Sequence, residues 1–314
     1  MDIMPIKPIL CNLVCLFTFA CTNASSVESF KALDTFQDCP DCPKMVVIPA
    51  GSVTMGLPES DTTRLGSDYP SVNVNIPNSL AVAQHEITVG QFKAFARNTA
   101  WDDGSYPCDV FEGEGEWAGE QVDNYNWTNP GFNQTDNHPA VCISWHTAQA
   151  YAAWLSLKTG ETYRLLSEAE FEYANRAGRS GYWIWDENQD SPCSLANTGD
   201  HSVKENYSLY SFSTVLCDDG YAATAPVMSY ASNPFGLYDM TGNVNEWIQD
   251  CYLNNHDLTP SDGSALEFTN CPYRRVKGGS WFSPKVASRI VARMSYRPHT
   301  RITETGFRVA RELE

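Results

Sequence analysis

The sequence predicts an α+β fold with a low content of regular secondary structure. Three segments of the 314-residue chain carry apolar residues at helical spacing, and short apolar runs bounded by turn residues favour strands. Long polar stretches rich in Asn, Gly and Trp separate these segments. At 42% hydrophobic residues the chain can bury one large core, although its length alone also allows two domains.

The strand and helix patterns are clearest in the first half of the chain. Residues 45–55 predict two strands joined by a turn, and residues 71–76 predict another strand. A helix follows residues 85–88, because Val89, Phe92, Phe95 and Ala96 fall on one face. A long polar loop is then expected over residues 102–138, and loops of this length usually carry a function or are held by a bridge.

Two further helices are predicted beyond this loop. Residues 144–158 have a core face, formed by Ala148, Tyr151, Ala152 and Leu155 at i, i+3, i+4 and i+7. The third helix begins at Ser167, where Ser167 and Glu170 form a capping box that satisfies two free backbone N–H groups. After Gly178 the chain has many turns and few periodic segments.

The first 24 residues predict an export signal, followed by a polar linker over residues 25–38 and a single domain over residues 39–314. Residues 9–20 are apolar but too short to span a bilayer as a helix. Two cleavage sites remain open: a lipoprotein-type site with Cys21 as the lipidated residue, and an ordinary cut after small residues at 22–24. We therefore expect an exported protein, either periplasmic or an outer-membrane lipoprotein.

Cysteine content supports an oxidising compartment. Three of the 11 cysteines lie in the leader, which leaves an even set of eight. Eight cysteines allow 105 pairings, so the connectivity is open. Proximity in the sequence suggests the pairs Cys39–Cys42, Cys108–Cys142, Cys193–Cys217 and Cys251–Cys271.

The charge balance limits the class of partner. The formal net charge is −17, and such a surface repels nucleic acid and anionic membranes. We expect no nucleic-acid partner, and membrane contact only through a lipid anchor. Acidic clusters on such a chain could either be solvated or bind a hard cation such as calcium.

Seven motifs occur in one order along most of the chain, and together they resemble the formylglycine-generating enzyme superfamily, the sulfatase-modifying factors. The match extends over about residues 39–311. The motifs are residues 45–51 (MVVIPAG), 86–88 (EIT), 138–145 (HPAVCISW), 164–174 (RLLSEAEFEYA), 236–247 (GLYDMTGNVNEW), 275–281 (RVKGGSW) and 306–308 (GFR). The resemblance implies a compact, largely irregular α+β domain that is distantly like a C-type lectin.

The resemblance also implies where this chain departs from the oxidase members. Those members hold copper with two cysteines five residues apart after the GGS motif, and the matching positions here are Ser283 and Ser288. Copper(I) prefers soft thiolate sulfur, so no copper cofactor is expected. Ser280, Trp281 and Arg293 match positions that line the substrate cleft in relatives. Packing, a turn and an ion pair are their alternative roles.

Two calcium sites are implied by the same resemblance. The first would use the side chains of Asn197 and Asp219 with the carbonyls of Thr198 and Tyr221. The second would use the side chains of Asp239 and Glu246 with the carbonyls of Gly242 and Val244. Each of the four side chains carries an oxygen donor of the kind calcium prefers. Local turns, in which Asn and Asp bond their own backbone, are the alternative explanation.

The function predicted from the sequence is that of an exported accessory or maturation factor whose cleft binds a protein partner or a small-molecule ligand without copper chemistry. One alternative is an oxidoreductase of different mechanism on the same scaffold. Its precedent in the resemblance is the periplasmic protein that matures the pyoverdine chromophore. A lectin-like recognition module is the other alternative.

Overall fold

A computed structural model describes residues 30–62, 67–101, 106–110, 120–122, 124–185, 192–207 and 211–313. The predicted export signal, with Cys21, lies outside these residues. The strands are β1 Thr35–Phe36, β2 Met45–Ile48, β3 Gly51–Met55, β4 Val72–Ile76, β5 Leu80–Ala83, β6 Cys108–Val110, β7 Glu120–Val122, β8 Tyr163–Arg164, β9 Asn245–Cys251, β10 Arg274–Lys277, β11 Met294–Tyr296, β12 Thr305–Gly306 and β13 Ala310–Glu312. The α-helices are α1 Val89–Thr99, α2 Trp145–Thr159, α3 Glu168–Arg176 and α4 His201–Asn206.

The largest sheet joins the two ends of the domain. Its five antiparallel strands run in the order β1-β2-β5-β13-β8, so the last strand of the chain lies inside the sheet. Strands β2 and β5 are buried at every position, because apolar side chains pack on both faces. Strand β1 lies within the segment predicted as a linker. Because Thr35 and Phe36 pair with β2, the ordered domain begins before Asp38.

A second sheet carries the motifs at residues 275–281 and 306–308. Its strands run in the order β11-β10-β9-β12, with β12 parallel to β9 and the other pairs antiparallel. Strand β10 leads directly into the GGS motif, and β12 ends on the first residue of the GFR motif. Short strands and long connections make up the rest of the described chain, which confirms the predicted α+β class with little regular structure.

The three predicted helices are present, and their ends follow the capping rules. Ser167 accepts from the Glu170 backbone N–H and Glu170 accepts from the Ser167 N–H, which confirms the predicted capping box of α3. Helices α1 and α2 pack their apolar faces into one core, where the Tyr151 and Phe307 rings lie 5.2 Å apart. Helix α3 packs Phe171 into a second core on the main sheet.

The four predicted cysteine pairs are all bonded in the structure. The Cys108–Cys142 bridge spans 34 positions and fixes the ends of the long polar segment predicted as a loop. Bridges of this kind compensate for limited regular structure by reducing the entropy of the unfolded chain. No helix within the described residues is long and apolar enough to cross a membrane.

Candidate functional site

The chain turns sharply at two glycines after β10, and this turn places the next residues in the interior. Gly278 and Gly279 have φ values of 95° and 76°, which favour glycine. A Cβ atom on Gly279 would lie 3.0 Å from the Ala287 carbonyl oxygen, so the turn packs tightly against the end of its own loop. Ser280, Trp281, Ser283 and Ser288 are consequently buried.

We call the cavity beside this loop the aromatic cleft. It encloses about 290 Å³ and is lined by Val110, Tyr125, Pro130, Gly131, Phe132, Tyr207, Trp281, Phe282, Thr303 and Glu304. The Trp281 ring lies 5.5 Å from the Phe132 ring and 5.3 Å from the Tyr207 ring. Three separate parts of the chain thus supply one continuous aromatic wall, a surface suited to a flat apolar ring.

Glu304 is the only ionisable carboxyl group among the described residues that line the aromatic cleft. Its Oε2 atom accepts a hydrogen bond of 2.5 Å from the Ser280 hydroxyl, and its Oε1 atom accepts one of 3.4 Å from the Tyr296 hydroxyl. Burial raises the pKa of Glu304 above its ordinary value, although the two hydrogen bonds oppose this shift. A buried carboxyl held by two hydroxyls can accept or donate a proton at the cleft.

The raised pKa of Glu304 predicts a pH-dependent difference in stability between the wild type and the Glu304→Gln variant. The folded wild type binds the Glu304 proton more tightly than the unfolded chain does, so its stability falls as pH rises above the ordinary value of 4.5. Glutamine has no such titration. Urea unfolding at several pH values should show the wild type losing stability relative to the variant as pH rises above the ordinary value of 4.5. A constant difference would contradict the raised pKa.

The two positions that hold thiolates in oxidase relatives are occupied by hydroxyl groups in this site. The Ser283 hydroxyl accepts from the Ser280 backbone N–H at 2.9 Å, and the Ser288 hydroxyl lies 2.5 Å from the Thr198 hydroxyl. Thr198 also donates to the Ser283 carbonyl at 3.5 Å, so it bridges the two serines. Neutral hydroxyl oxygens are hard donors, and this set does not fit copper(I).

Arg293, also predicted to line the cleft, lies elsewhere. Its Nε and Nη2 atoms donate to the Glu168 carboxylate at 2.7 and 2.8 Å, and Nη1 donates to the Ser67 carbonyl. It borders a different cavity, together with Met294 and Ser295. The ion pair with α3, the alternative role that the sequence left open, therefore sets its position.

The residues predicted for the first calcium site lie together. The Asp219 carboxylate accepts from the Thr198 N–H at 3.3 Å and the Tyr221 N–H at 2.8 Å. Asn197 is fully buried, and its Oδ1 atom has no hydrogen-bond partner among the described residues. Burial, together with nearby Asp200 and Asp218, raises the pKa of Asp219 to about 7. An unpaired amide oxygen next to a destabilised carboxylate fits a hard cation.

The second predicted calcium site already contains a protein cation. Arg308 donates to both Glu246 oxygens, at 2.7 and 2.6 Å, and also to the Asp239 carbonyl at 3.4 Å. Burial raises the pKa of Asp239 to about 6. Gly242 packs against Asn197, where an added Cβ would lie 2.3 Å from the Asn197 carbonyl oxygen, so the two predicted sites adjoin. The guanidinium makes this second site a poorer fit for calcium than the first.

Sequence reasoning missed the acid and most of the walls of the aromatic cleft. Glu304 lies two residues before the GFR motif, and an acidic residue beside this buried segment was the available signal. Phe132 and Tyr207 come from segments without periodicity, so only the fold brings them to Trp281. Across the described ranges, no group of three or more His, Cys, Asp or Glu residues is arranged to hold a metal ion.

Comparisons with known proteins agree with this architecture. The family model described as "Sulfatase-modifying factor enzyme 1-like domain" matches residues 30–313. The formylglycine-generating enzyme of Mus musculus is 28% identical over 85% of this chain and 74% of its own length. The enzyme of the same name from Thermomonospora curvata is 29% identical over 85% of this chain and 92% of its own.

Solved structures give the same result. The structure of PvdO from Pseudomonas aeruginosa is 36% identical, with a TM-score of 0.73, and the match covers 91% of this chain and 100% of that one. Treponema denticola variable protein 1 shares the fold at 18% identity and a TM-score of 0.64. With a family match over nearly the whole described domain, the chain belongs to the sulfatase-modifying factor family, which includes the formylglycine-generating enzymes.

Proposed function

We propose that the protein is an exported, copper-independent member of this family whose aromatic cleft binds a ring-bearing ligand, either a small molecule or an aromatic side chain of a partner protein. The observation that carries the proposal is the cleft itself, in which three aromatic segments surround a single buried carboxyl group. As an accessory or maturation factor, the protein would hold this ring while the partner is processed.

The chemistry of the walls selects the ligand. Aromatic rings at offset or edge-to-face distances favour another flat ring over a sugar or an aliphatic chain. The Glu304 carboxyl at the wall can accept a hydrogen bond from a hydroxyl on that ring. A phenol satisfies both requirements, so phenolic compounds and tyrosine peptides are the expected ligands.

A second candidate function, oxidation of the bound ring, is favoured by the environment of Glu304. A base with a raised pKa can accept the proton that a phenol or catechol releases. In such a reaction the ring would lose two electrons and two protons, dioxygen would accept them to give hydrogen peroxide, and Glu304 would hold one proton in transit. Ser280 and Tyr296 would orient the carboxyl group.

Binding and turnover can be separated with two variants and one control. Trp281→Ala should abolish binding of phenols and tyrosine peptides measured by calorimetry, since it removes the central wall. Trp183→Ala, which removes a tryptophan outside the cleft, should leave binding unchanged. Oxygen uptake with catechols that is absent in Glu304→Gln would support the oxidase. Failure of every ring compound to bind wild-type protein would overturn the proposal.

Calcium is proposed as the structural cofactor of the first site, where it would neutralise the Asp219 carboxylate and satisfy the Asn197 amide oxygen. A ligand at 100 times its dissociation constant adds about 2.7 kcal/mol, which corresponds to a rise in melting temperature of roughly 5 °C. Thermal melts with calcium and with chelator should differ by this amount.

Asp219→Asn should remove most of the difference, and the matched Asp218→Asn variant should retain it, because Asp218 is exposed and bonds Ser202. Identical wild-type melts and no bound metal would exclude the site.

Export to the periplasm, or anchoring in the outer membrane through Cys21, completes the proposal and rests on the leader sequence. Cell fractionation checks it: Cys21→Ser should move the protein from membranes to the soluble periplasmic fraction if the lipoprotein cleavage is used. A cytoplasmic location of the full chain would contradict export.

A further inference from the structure

A second and larger cavity adjoins the aromatic cleft. It encloses about 630 Å³, and we call it the basic cavity; Asp109, Tyr252, Tyr273, Arg293, Tyr296 and Arg297 are among the residues that line it. Val110 lines both cavities. Tyr296 lines the basic cavity while its hydroxyl donates to Glu304 of the cleft, so one side chain connects the two spaces. The two cavities therefore share a wall.

Two arginines, Arg293 and Arg297, line the basic cavity, and both belong to a segment rich in basic residues. Residues 274–301 contain eight Lys and Arg residues and no Asp or Glu, although the chain carries a net charge of −17. Most of the cavity wall belongs to this segment. A basic cavity on an acidic protein focuses an attractive potential on anions while the rest of the surface repels them.

The arginines near the cavity outnumber the acids that neutralise them. Glu168 forms ion pairs with both Arg293 and Arg275, at 2.7 and 3.4 Å, while Glu172 and Asp250 act on them without an ion pair among the described residues. Arg275 is fully buried, and its Nε and Nη1 atoms have no hydrogen-bond partner within the described residues. Its guanidinium carbon lies 4.3 Å from the centre of the Tyr252 ring, which itself lines the cavity. The positive charge behind this wall is thus only partly compensated.

Arg297 provides the accessible cation. It is exposed, lines the cavity, and its guanidinium carbon lies 5.7 Å from the centre of the Tyr273 ring. It forms no ion pair with any residue in the described part of the chain. The aromatic ring limits its freedom without neutralising its charge, so an incoming oxyanion meets a cation already positioned.

An acidic residue, Asp109, also lines the cavity and could reduce its positive potential. Asp109 lies on the wall, and burial raises the pKa of its carboxyl group while His299 and Arg301 oppose this rise. Arg301 is the permanently positive group near the Asp109 carboxylate among the described residues. It offsets the charge of Asp109, so Asp109 does not cancel the potential of Arg293 and Arg297.

We propose that the basic cavity binds an oxyanion, carried by the same ligand whose ring occupies the aromatic cleft. The proposal rests on the proposed function and deepens it: the substrate or partner segment has an aromatic ring and, at a fixed distance from it, an acidic group. A carboxylate and a phosphate share the required chemistry, since both accept paired hydrogen bonds from guanidinium groups.

The test uses peptides that carry one tyrosine and one acidic residue, separated by zero to three glycines. Each peptide has a partner in which glutamine replaces glutamate, and a third series carries phosphoserine. Binding to the full chain is measured by calorimetry at low and high salt. At one spacing the glutamate or phosphoserine peptide should bind on the order of tenfold more tightly than its glutamine partner. One charge-assisted hydrogen bond contributes a free energy of about this size. High salt should reduce this preference.

Variants assign the preference to the cavity. Arg297→Gln should remove the preference for the acidic peptide, measured as the ratio of the acidic-peptide and glutamine-peptide affinities in the same variant. Arg97→Gln changes an exposed arginine of α1 by the same charge and should retain the preference. Equal affinities of acidic and glutamine peptides at every spacing would overturn the oxyanion site and leave the aromatic cleft standing. Absence of binding by all peptides would overturn the oxyanion site, whereas the aromatic cleft falls only if simple phenols also fail to bind. Whichever of glutamate or phosphoserine binds more tightly identifies the oxyanion.

Discussion

The wild-type protein should not convert a sulfatase-type cysteine peptide to formylglycine, even with copper supplied. That oxidation needs two thiolates to hold copper(I) beside the substrate thiol, and the matching positions are Ser283 and Ser288. Both hydroxyls are buried and already hydrogen-bonded, one to Ser280 and the other to Thr198. Mass spectrometry of the peptide measures the outcome, and clear turnover by the wild type would show that another group supplies the metal site.

Restoring both thiols tests the same assignment in the opposite direction. Thr198 contacts the backbone of Ser283 and the side chain of Ser288, so the two positions converge on one residue. The Ser283→Cys, Ser288→Cys double variant should therefore bind copper(I) at one ion per chain, and each single variant should bind it much more weakly. Ser264→Cys, a serine on an exposed loop, is the control for a thiol placed elsewhere. Equal copper binding by single and double variants would contradict the proposed convergence.

Local patterns in the sequence were sufficient to predict the elements that are stabilised by contacts between residues close in sequence. The helical faces around Phe92 and Tyr151 and the capping box at Ser167 involve residues within two turns of each other, so their spacing predicts the structure. The disulfide pairs follow for a similar reason, since the closest pairings in sequence need only short loops to close. For Trp281 the motif left a cleft-lining and a packing role open, and the residue is both buried and part of the cleft wall.

The cleft required information that a single sequence does not contain. Glu304, Phe132 and Tyr207 meet only because β12, a long loop and the end of α4 converge, and none of these segments has a period that reveals its neighbours. The same limit explains Arg293. Its position was inferred from a motif, but its partner Glu168 lies 125 residues away and draws it to another cavity. Long-range ion pairs leave no pattern in local sequence.

Glu168→Gln should be among the most destabilising single substitutions in the described domain. Glu168 is buried at the start of α3 and pairs with Arg293, Arg275 and, at 4.0 Å, Lys277. The variant leaves three buried cations with one acid fewer, and removing one member of a buried ion pair costs about 3–5 kcal/mol. Urea unfolding at neutral pH measures this loss. Burial by itself would raise the pKa of Glu168, but the surrounding cations hold that pKa well below its ordinary value.

A matched variant distinguishes burial from charge in this prediction. Glu312→Gln removes an equal charge from an exposed pair with Arg164, at 3.0 Å, and should cost no more than about 1 kcal/mol. The depressed pKa adds a second signature: the stabilisation from Glu168 is complete above its unfolded pKa and is lost as pH falls through the lower folded value. Wild type and Glu168→Gln should therefore converge in stability only in strong acid. Equal losses for Glu168→Gln and Glu312→Gln would mean that the buried cations do not depend on Glu168.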